Sequence, residues 1–206
     1  MKIENRLAGF FFNNFDFVVR FIYSNLQLNT LFKNYYISDF YEIDNKFTNL
    51  KKIMDSLGLN FENKVCLELG PGNSYINSYN LLLNGAKKVI LVDKYPRLSN
   101  NKKIKALHHK EIEYVKNKYK LNDLFFLKNG KINSKYIEFI DGDITKIYFK
   151  KQLDFVLSFS VLEHIKNVKK VISKFSNIIK HGGLMYHSID LRDHYNFNNP
   201  FLFYKY

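Results

Sequence analysis

Short apolar runs without polar alternation constrain this chain more than any other feature. They cover residues 65–69, 89–92, 137–140, 155–157 and 184–189. A strand with one wet face alternates apolar and polar residues. A continuously apolar strand is covered on both faces, as in a parallel sheet. Each run is followed by small or acidic residues: Gly70-Pro71-Gly72, then Asp93, then Asp141-Gly142-Asp143, then Ser158. Helical stretches separate the runs. One is expected over 74–84, stopped at Gly85. Another carries Leu162, Ile165, Val168, Val171, Phe175 and Ile178 and is expected to run to His181, where Gly182 and Gly183 end it. Strands and helices in alternation predict an α/β fold, a doubly wound, mostly parallel sheet with helices on both faces.

Residues 1–60 read as an N-terminal helical extension or lid, and 61–206 as the main domain. In the extension Phe47, Leu50, Met54 and Leu57 recur at helical spacing. Asp44 or Asn45 is expected to cap that helix and Gly58 to stop it. An insertion at 94–135 is longer than a crossover needs. It is basic and carries a helical pattern at Ile104, Leu107, Ile112 and Val115, with His108 and His109 expected at its surface. After residue 189 too few residues remain for another crossover helix and two strands, so a sheet of five strands is expected.

A hydrophobic content of 46% excludes a disordered chain. Cys66 is the only cysteine, which excludes an internal disulfide framework and suits a cytoplasmic location. The net charge of +13 raises the question of a polyanionic partner. Of the 32 basic residues, however, only Arg6, Arg20, Arg97 and Arg192 are arginine. Specific nucleic-acid sites favour the bidentate arginine fork, so nucleic acid is disfavoured. The stretch "GFFFNNFDFVVRFIY" is too interrupted by Asn13, Asn14, Asp16 and Arg20 to span a bilayer or serve as a secretory signal. Packing on its own domain is its primary reading. Peripheral membrane contact through an aromatic, basic helix is the secondary one.

In an open α/β sheet, ligands bind outside the carboxyl ends of the strands. Glu68, Gly70, Gly72, Asp93, Asp143, Ser158 and Ser160 all fall at those ends. A nicotinamide dinucleotide site needs a third glycine so that pyrophosphate can meet a helix N-terminus. That position is Tyr75, and Glu68 is a poor neighbour for a phosphate. A ligand with a ribose and a cationic part fits better, since Asp93 follows the loop at the distance where a carboxylate takes ribose hydroxyls.

The stretches "ELGPGNS", "VILVDKY", "IDGDITKI", "LDFVLSFSVLEHIKN" and "KHGGLMYHSID" occur in this order. Together they resemble the successive motifs of class I S-adenosylmethionine-dependent methyltransferases, with a type 11-like domain, over roughly residues 60 to 190. The resemblance implies a Rossmann-like sheet and S-adenosylmethionine as cofactor. It implies that Gly70 and Gly72 let the backbone approach the methionine part, with Pro71 stiffening the loop and Glu68 orienting it. Asp93 would take the ribose hydroxyls, Asp143 and Ile144 would flank the adenine, and Ser158 and Ser160 would line the methyl side. The chain departs from the family at Ser74, where many members carry glycine, and the family's sixth and seventh strands are expected to be missing.

Methyl transfer from a sulfonium is an in-line displacement that asks the protein chiefly for alignment. His164, Asp190 and His194 are the candidate acid–base residues on the acceptor side. His187, Asp190, Asp193 and His194 match no usual zinc spacing, so no metal is expected. The expected activity is methyl transfer to a small-molecule, sugar or glycolipid acceptor. RNA methylation and an inactive, truncated S-adenosylmethionine-binding module are the alternatives. RNA and DNA amino methylases often carry N/D-P-P-Y/F after strand four, where this chain reads Ser158-Phe159-Ser160-Val161.

Overall fold

The structure, a computed structural model, describes residues 39–94, 102–150 and 152–191. Helix α1 spans Phe40–Ser56. Its cap is Asp39, which accepts a hydrogen bond from the Tyr41 N–H at 2.9 Å. The cap thus lies earlier than Asp44 or Asn45, and Asp44 is inside the helix. Phe47, Leu50 and Met54 recur one turn apart and are buried. They share one apolar cluster with Phe61, Cys66 and Phe155, so α1 packs into the same core as the sheet. Burying each such side chain stabilises the fold by about 1.5–3 kcal/mol.

The sheet follows in order: β1 (Val65–Leu69), α2 (Ile76–Leu83), β2 (Lys88–Asp93), α3 (Lys102–Tyr119), β3 (Leu127–Lys128), β4 (Lys131–Ile132), β5 (Ile137–Asp141), β6 (Leu153–Phe159), a short 3-10 helix (Leu162–His164), α4 (Val168–Ile178) and β7 (Ile179–Ser188). The main sheet has the order β5-β2-β1-β6-β7 with every pair parallel. Strand parity sorts the core into two layers. Cys66, Val89, Leu91, Phe155 and Leu157 face α1, α2 and α3. Leu67, Leu69, Val92 and Val156 face α4 through Val171, Phe175 and Ile178. Continuous apolar strands with helices on both faces are the doubly wound, Rossmann-like arrangement that the runs predict.

Three further expectations need correction. Among the described residues the chain forms seven strands where the apolar runs count five. The additional pair, β3 and β4, is a separate antiparallel hairpin inside the insertion. Its two turn residues, Asn129 and Gly130, have φ of +52° and +70°, the signature of a type I′ turn. Residues 192–206, which follow β7, lie outside those described. Next, α4 ends at Ile178 rather than at His181, and β7 begins at once. Gly183 lies within β7 instead of stopping the helix. A Cβ there would meet Ile179 Cγ2 at 2.5 Å and two carbonyl oxygens at 3.0 Å, so close backbone approach explains the glycine. Finally, His108 is half-buried rather than exposed; its contacts are described below.

A polar cluster ties the three helices on one face together. Asp44 on α1 is buried and accepts from Lys118 Nζ at 2.6 Å, Tyr114 Oη at 2.7 Å and Asn80 Nδ2 at 2.8 Å. Burial pushes the Asp44 carboxyl up, but these bonds more than offset it and hold its pKa below the usual value. Among the described residues no helix is long and apolar enough to cross a membrane.

Candidate active site

The strand order reverses between β1 and β6. This is the switch point, where open α/β sheets bind their ligands. The β1 loop enters it at Gly70, whose N–H still donates to Val92 O at 2.8 Å. Gly70 has φ +69°, and a Cβ on it would stand 2.5 Å from Val161 Cγ2 in the β6 loop. Glycine is therefore required twice, for the left-handed backbone and for the approach of the second loop. Gly72 also has positive φ, +59°, but nothing lies within 4 Å of where its Cβ would stand. Pro71 between them is buried.

Carboxylates stand at the strand ends and in the loops around this one. Asp93, at the end of β2, accepts from the Gly72 N–H through Oδ2 at 3.2 Å. Its carbonyl accepts from the Gly142 N–H at 2.8 Å, so the loops after β1, β2 and β5 are linked in series. Glu68 is buried at the end of β1 and accepts from Asn77 Nδ2 of α2 at 2.7 Å. Asp143 accepts from the Thr145 N–H at 2.9 Å and hydroxyl at 2.8 Å. Burial pushes Asp143 up, but the Thr145 bonds, helped by Lys146 and Lys94, leave its pKa lowered. Ile144 beside it is buried among Leu67, Leu69, Val92 and Leu162.

The contacts from α3 are not among the expected ones. Glu111 is fully buried and accepts from Ser74 Oγ at 2.5 Å. It also accepts from the Tyr75 N–H, at 3.2 Å for Oε2. One turn earlier, the His108 ring lies against Tyr75, and its Nε2 is 2.8 Å from Asn73 O. A carbonyl only accepts, so Nε2 carries the proton. The one available signal is the i, i+3, i+7 spacing of His108, Glu111 and Val115 on the face that also carries Leu107.

On the β6 side of the switch point, Ser158 is fully buried and shares a 2.8 Å hydrogen bond with His187 Nδ1 on β7. The His187 ring stacks on Phe175, and burial lowers its pKa, which favours the neutral ring. Ser160 has φ +53°, a conformation that non-glycine residues seldom adopt, and its N–H donates to Ser188 O at 2.8 Å. His164 ends the short helix and is exposed, its N–H donating to Val161 O at 3.0 Å. Asp190 follows β7, and its N–H donates to Glu163 Oε1 at 3.1 Å. The third candidate acid–base residue, His194, and its neighbour Asp193 lie outside the described residues. Among the described residues no three of His, Cys, Asp and Glu gather as a metal site would require.

A sequence family described as a methyltransferase domain matches residues 41–206. The chain belongs to the class I S-adenosylmethionine-dependent methyltransferases. S-adenosylmethionine is accordingly the cofactor of this methyltransferase domain. The match begins at the second residue of α1, the helix that packs into the sheet's core.

Among solved structures, a Listeria monocytogenes protein assigned as an S-adenosylmethionine-dependent methyltransferase is 19% identical, with a TM-score of 0.47 over 70% of this chain and 54% of that one. The N-methyltransferase NodS from Bradyrhizobium japonicum, solved with S-adenosyl-L-homocysteine, is 14% identical, with a TM-score of 0.41 over 61% and 52%. Arabidopsis thaliana protein arginine methyltransferase 10 is 22% identical, with a TM-score of 0.37 over 61% and 30%. The chain thus spans 30% to 54% of the length of these proteins. Comparison with curated proteins returns no match.

Proposed function

We propose that this chain transfers the methyl group of S-adenosylmethionine to a small-molecule, sugar or glycolipid acceptor. The observation that carries the reading is Asp93. Its carboxylate is anchored by the Gly72 N–H beside a glycine with open space above it. A carboxylate in that place accepts hydrogen bonds from ribose hydroxyls, and a second one at Asp143 suits the amine of an adenine. Carboxylates also tolerate a cationic ligand where they would repel a pyrophosphate. The donor set therefore fits an adenosyl sulfonium.

In this reading Gly70, Pro71 and Gly72 form the floor under the methionine part, and Glu68 steadies that floor through Asn77. Asp143 and Ile144 flank the adenine. Ser158 and Ser160 line the side from which the methyl leaves. Bound S-adenosylmethionine supplies an electrophilic methyl group that needs no activation by the protein. The chain's own task is to align the acceptor and keep water out. In this reading His164 and Asp190 serve the acceptor side, where a ring nitrogen or carboxylate takes the acceptor's proton, and His194, outside the described residues, is the third candidate for that role. The absence of an N/D-P-P-Y/F stretch after β6 supports an acceptor other than a nucleic-acid amine. A reducing cytoplasm is the proposed compartment, consistent with a single buried thiol.

The test is transfer of isotopically labelled methyl from S-adenosylmethionine to three acceptor panels: small hydroxylated and amino compounds, glycolipids, and RNA. Label in the first or second panel is expected. Label in RNA alone would overturn the acceptor assignment.

A further inference from the structure

The crossover helix α3 is joined to the cofactor loop by two side chains that have no part in the mechanism above. Glu111 is fully buried and takes both the Ser74 hydroxyl, at 2.5 Å, and the Tyr75 N–H. The Ser74 oxygen in turn accepts from the Ile76 N–H at 3.2 Å. His108, on the same face of α3, donates to the carbonyl of Asn73. Three consecutive loop residues, 73 to 75, are thus fixed by one helix.

This arrangement also accounts for serine at position 74. The leading N–H groups of α2 are orphan donors that a helix start must satisfy. Here Glu111 takes the Tyr75 N–H and the Ser74 oxygen takes the Ile76 N–H. A carboxylate is favoured there by the helix dipole as well. A glycine at 74 would supply neither the oxygen that caps Ile76 nor the hydroxyl that engages Glu111.

We infer that Glu111 is a positioning residue for cofactor binding, acting through the Ser74 hydroxyl and the Tyr75 N–H, with His108 holding the same loop at Asn73. The inference rests on reading loop 70–74 as the floor of the S-adenosylmethionine site. It makes α3 part of the cofactor machinery rather than decoration in an insertion. Glu111 does not touch the ligand. It sets where the loop's backbone stands when the ligand arrives.

The experiment uses the full chain and S-adenosyl-L-homocysteine as the probe. Affinity is measured by calorimetry for wild type, Ser74→Ala, Glu111→Gln, Glu111→Ala and the double alanine variant. Amide exchange at residues 73–76 is followed alongside. Glu111→Ala is expected to weaken binding about tenfold, the scale of a lost hydrogen bond to a charged group. Its KM for S-adenosylmethionine is expected to rise while kcat holds. Glu111→Gln should recover most of the affinity, because its amide oxygen still accepts from both donors. Ser74→Ala should show a smaller loss that does not add to that of Glu111→Ala. Exchange at 73–76 should quicken in each alanine variant.

A folded Glu111→Ala protein that binds the probe as tightly as wild type would overturn the inference. If that variant fails to fold, Ser74→Ala, which removes a single oxygen, decides the matter in the same way. A wild-type protein without saturable binding would instead overturn the cofactor reading itself.

Discussion

Gly70 and Gly72 share a backbone conformation but not surroundings, and alanine at each should therefore fail differently. Both have positive φ, so alanine at either position costs about 1 kcal/mol for the left-handed backbone. At Gly70 the new Cβ would also stand 2.5 Å from Val161 Cγ2 and 3.0 Å from Cγ1. Val161 is β-branched and has few rotamers to move into, so an overpacking cost of about 1–3 kcal/mol is added. Gly70→Ala should thus lose about 2–4 kcal/mol of stability, and Gly72→Ala about 1. Ligand binding should weigh against Gly72, because its open side is where the cofactor is placed. There the same overpacking cost appears only in the complex, weakening S-adenosyl-L-homocysteine about tenfold. Urea unfolding and calorimetric titration of both variants give the two readouts. Val161→Ala removes both close atoms and leaves Cβ at 3.4 Å, so it should restore most of the stability lost in Gly70→Ala. Equal stability losses at the two glycines, or no rescue by Val161→Ala, would refute the reasoning.

Asp44→Ala leaves Lys118, Tyr114 and Asn80 without their common acceptor and should cost about 3 kcal/mol. That is the low end for breaking a buried pair, because the Lys118 side chain is 29% exposed and can reach water. Asp44, Asp143 and Asp154 all have lowered pKa values: burial raises each, and donors including Lys118, Thr145 and Lys180 more than offset it. Their stabilisation is complete above the ordinary value of 3.8 and is lost as pH falls through the lowered folded values, since the unfolded chain takes up protons first. Urea midpoints from pH 6 to pH 2 should fall, less steeply for Asp44→Ala than for wild type; a rise on acidification would contradict the assignment. Cys66 is buried, and its thiol is pushed up to about 12 by that burial. At pH 8 it should react with thiol reagents no faster than the protein unfolds, and fast labelling of folded protein would show that the strand is not covered.

The strands and the edge that carries the site are legible in the sequence, because apolar runs and terminal carboxylates are local signals. Val65–Leu69 matches its run residue for residue, and Asp93 and Asp143 fall where strand ends place them. The boundary between α4 and β7 is not legible. A Gly-Gly pair reads as a helix stop, whereas Gly183 answers a steric demand from Ile179 and Asp154 across the structure. The hairpin is missed despite its Asn129-Gly130 turn, since each strand has only two residues. Asp44 looks like a cap because its partners Tyr114, Lys118 and Asn80 lie far along the chain. Glu111 is hidden for the same reason, as one of two acids in a lysine-rich helix, with its partner 37 residues away.

The central claim is that Asp93 marks the ribose position of an S-adenosylmethionine site, and calorimetric titration of Asp93→Ala against wild type tests it most directly. Wild type is expected to bind S-adenosyl-L-homocysteine saturably at one site. Asp93→Ala is expected to remain folded and to bind more weakly by about 1.5–3 kcal/mol, the scale of lost charged hydrogen bonds. Unchanged affinity in Asp93→Ala would contradict the ribose assignment, and a folded wild-type protein that does not bind would contradict the cofactor site as a whole.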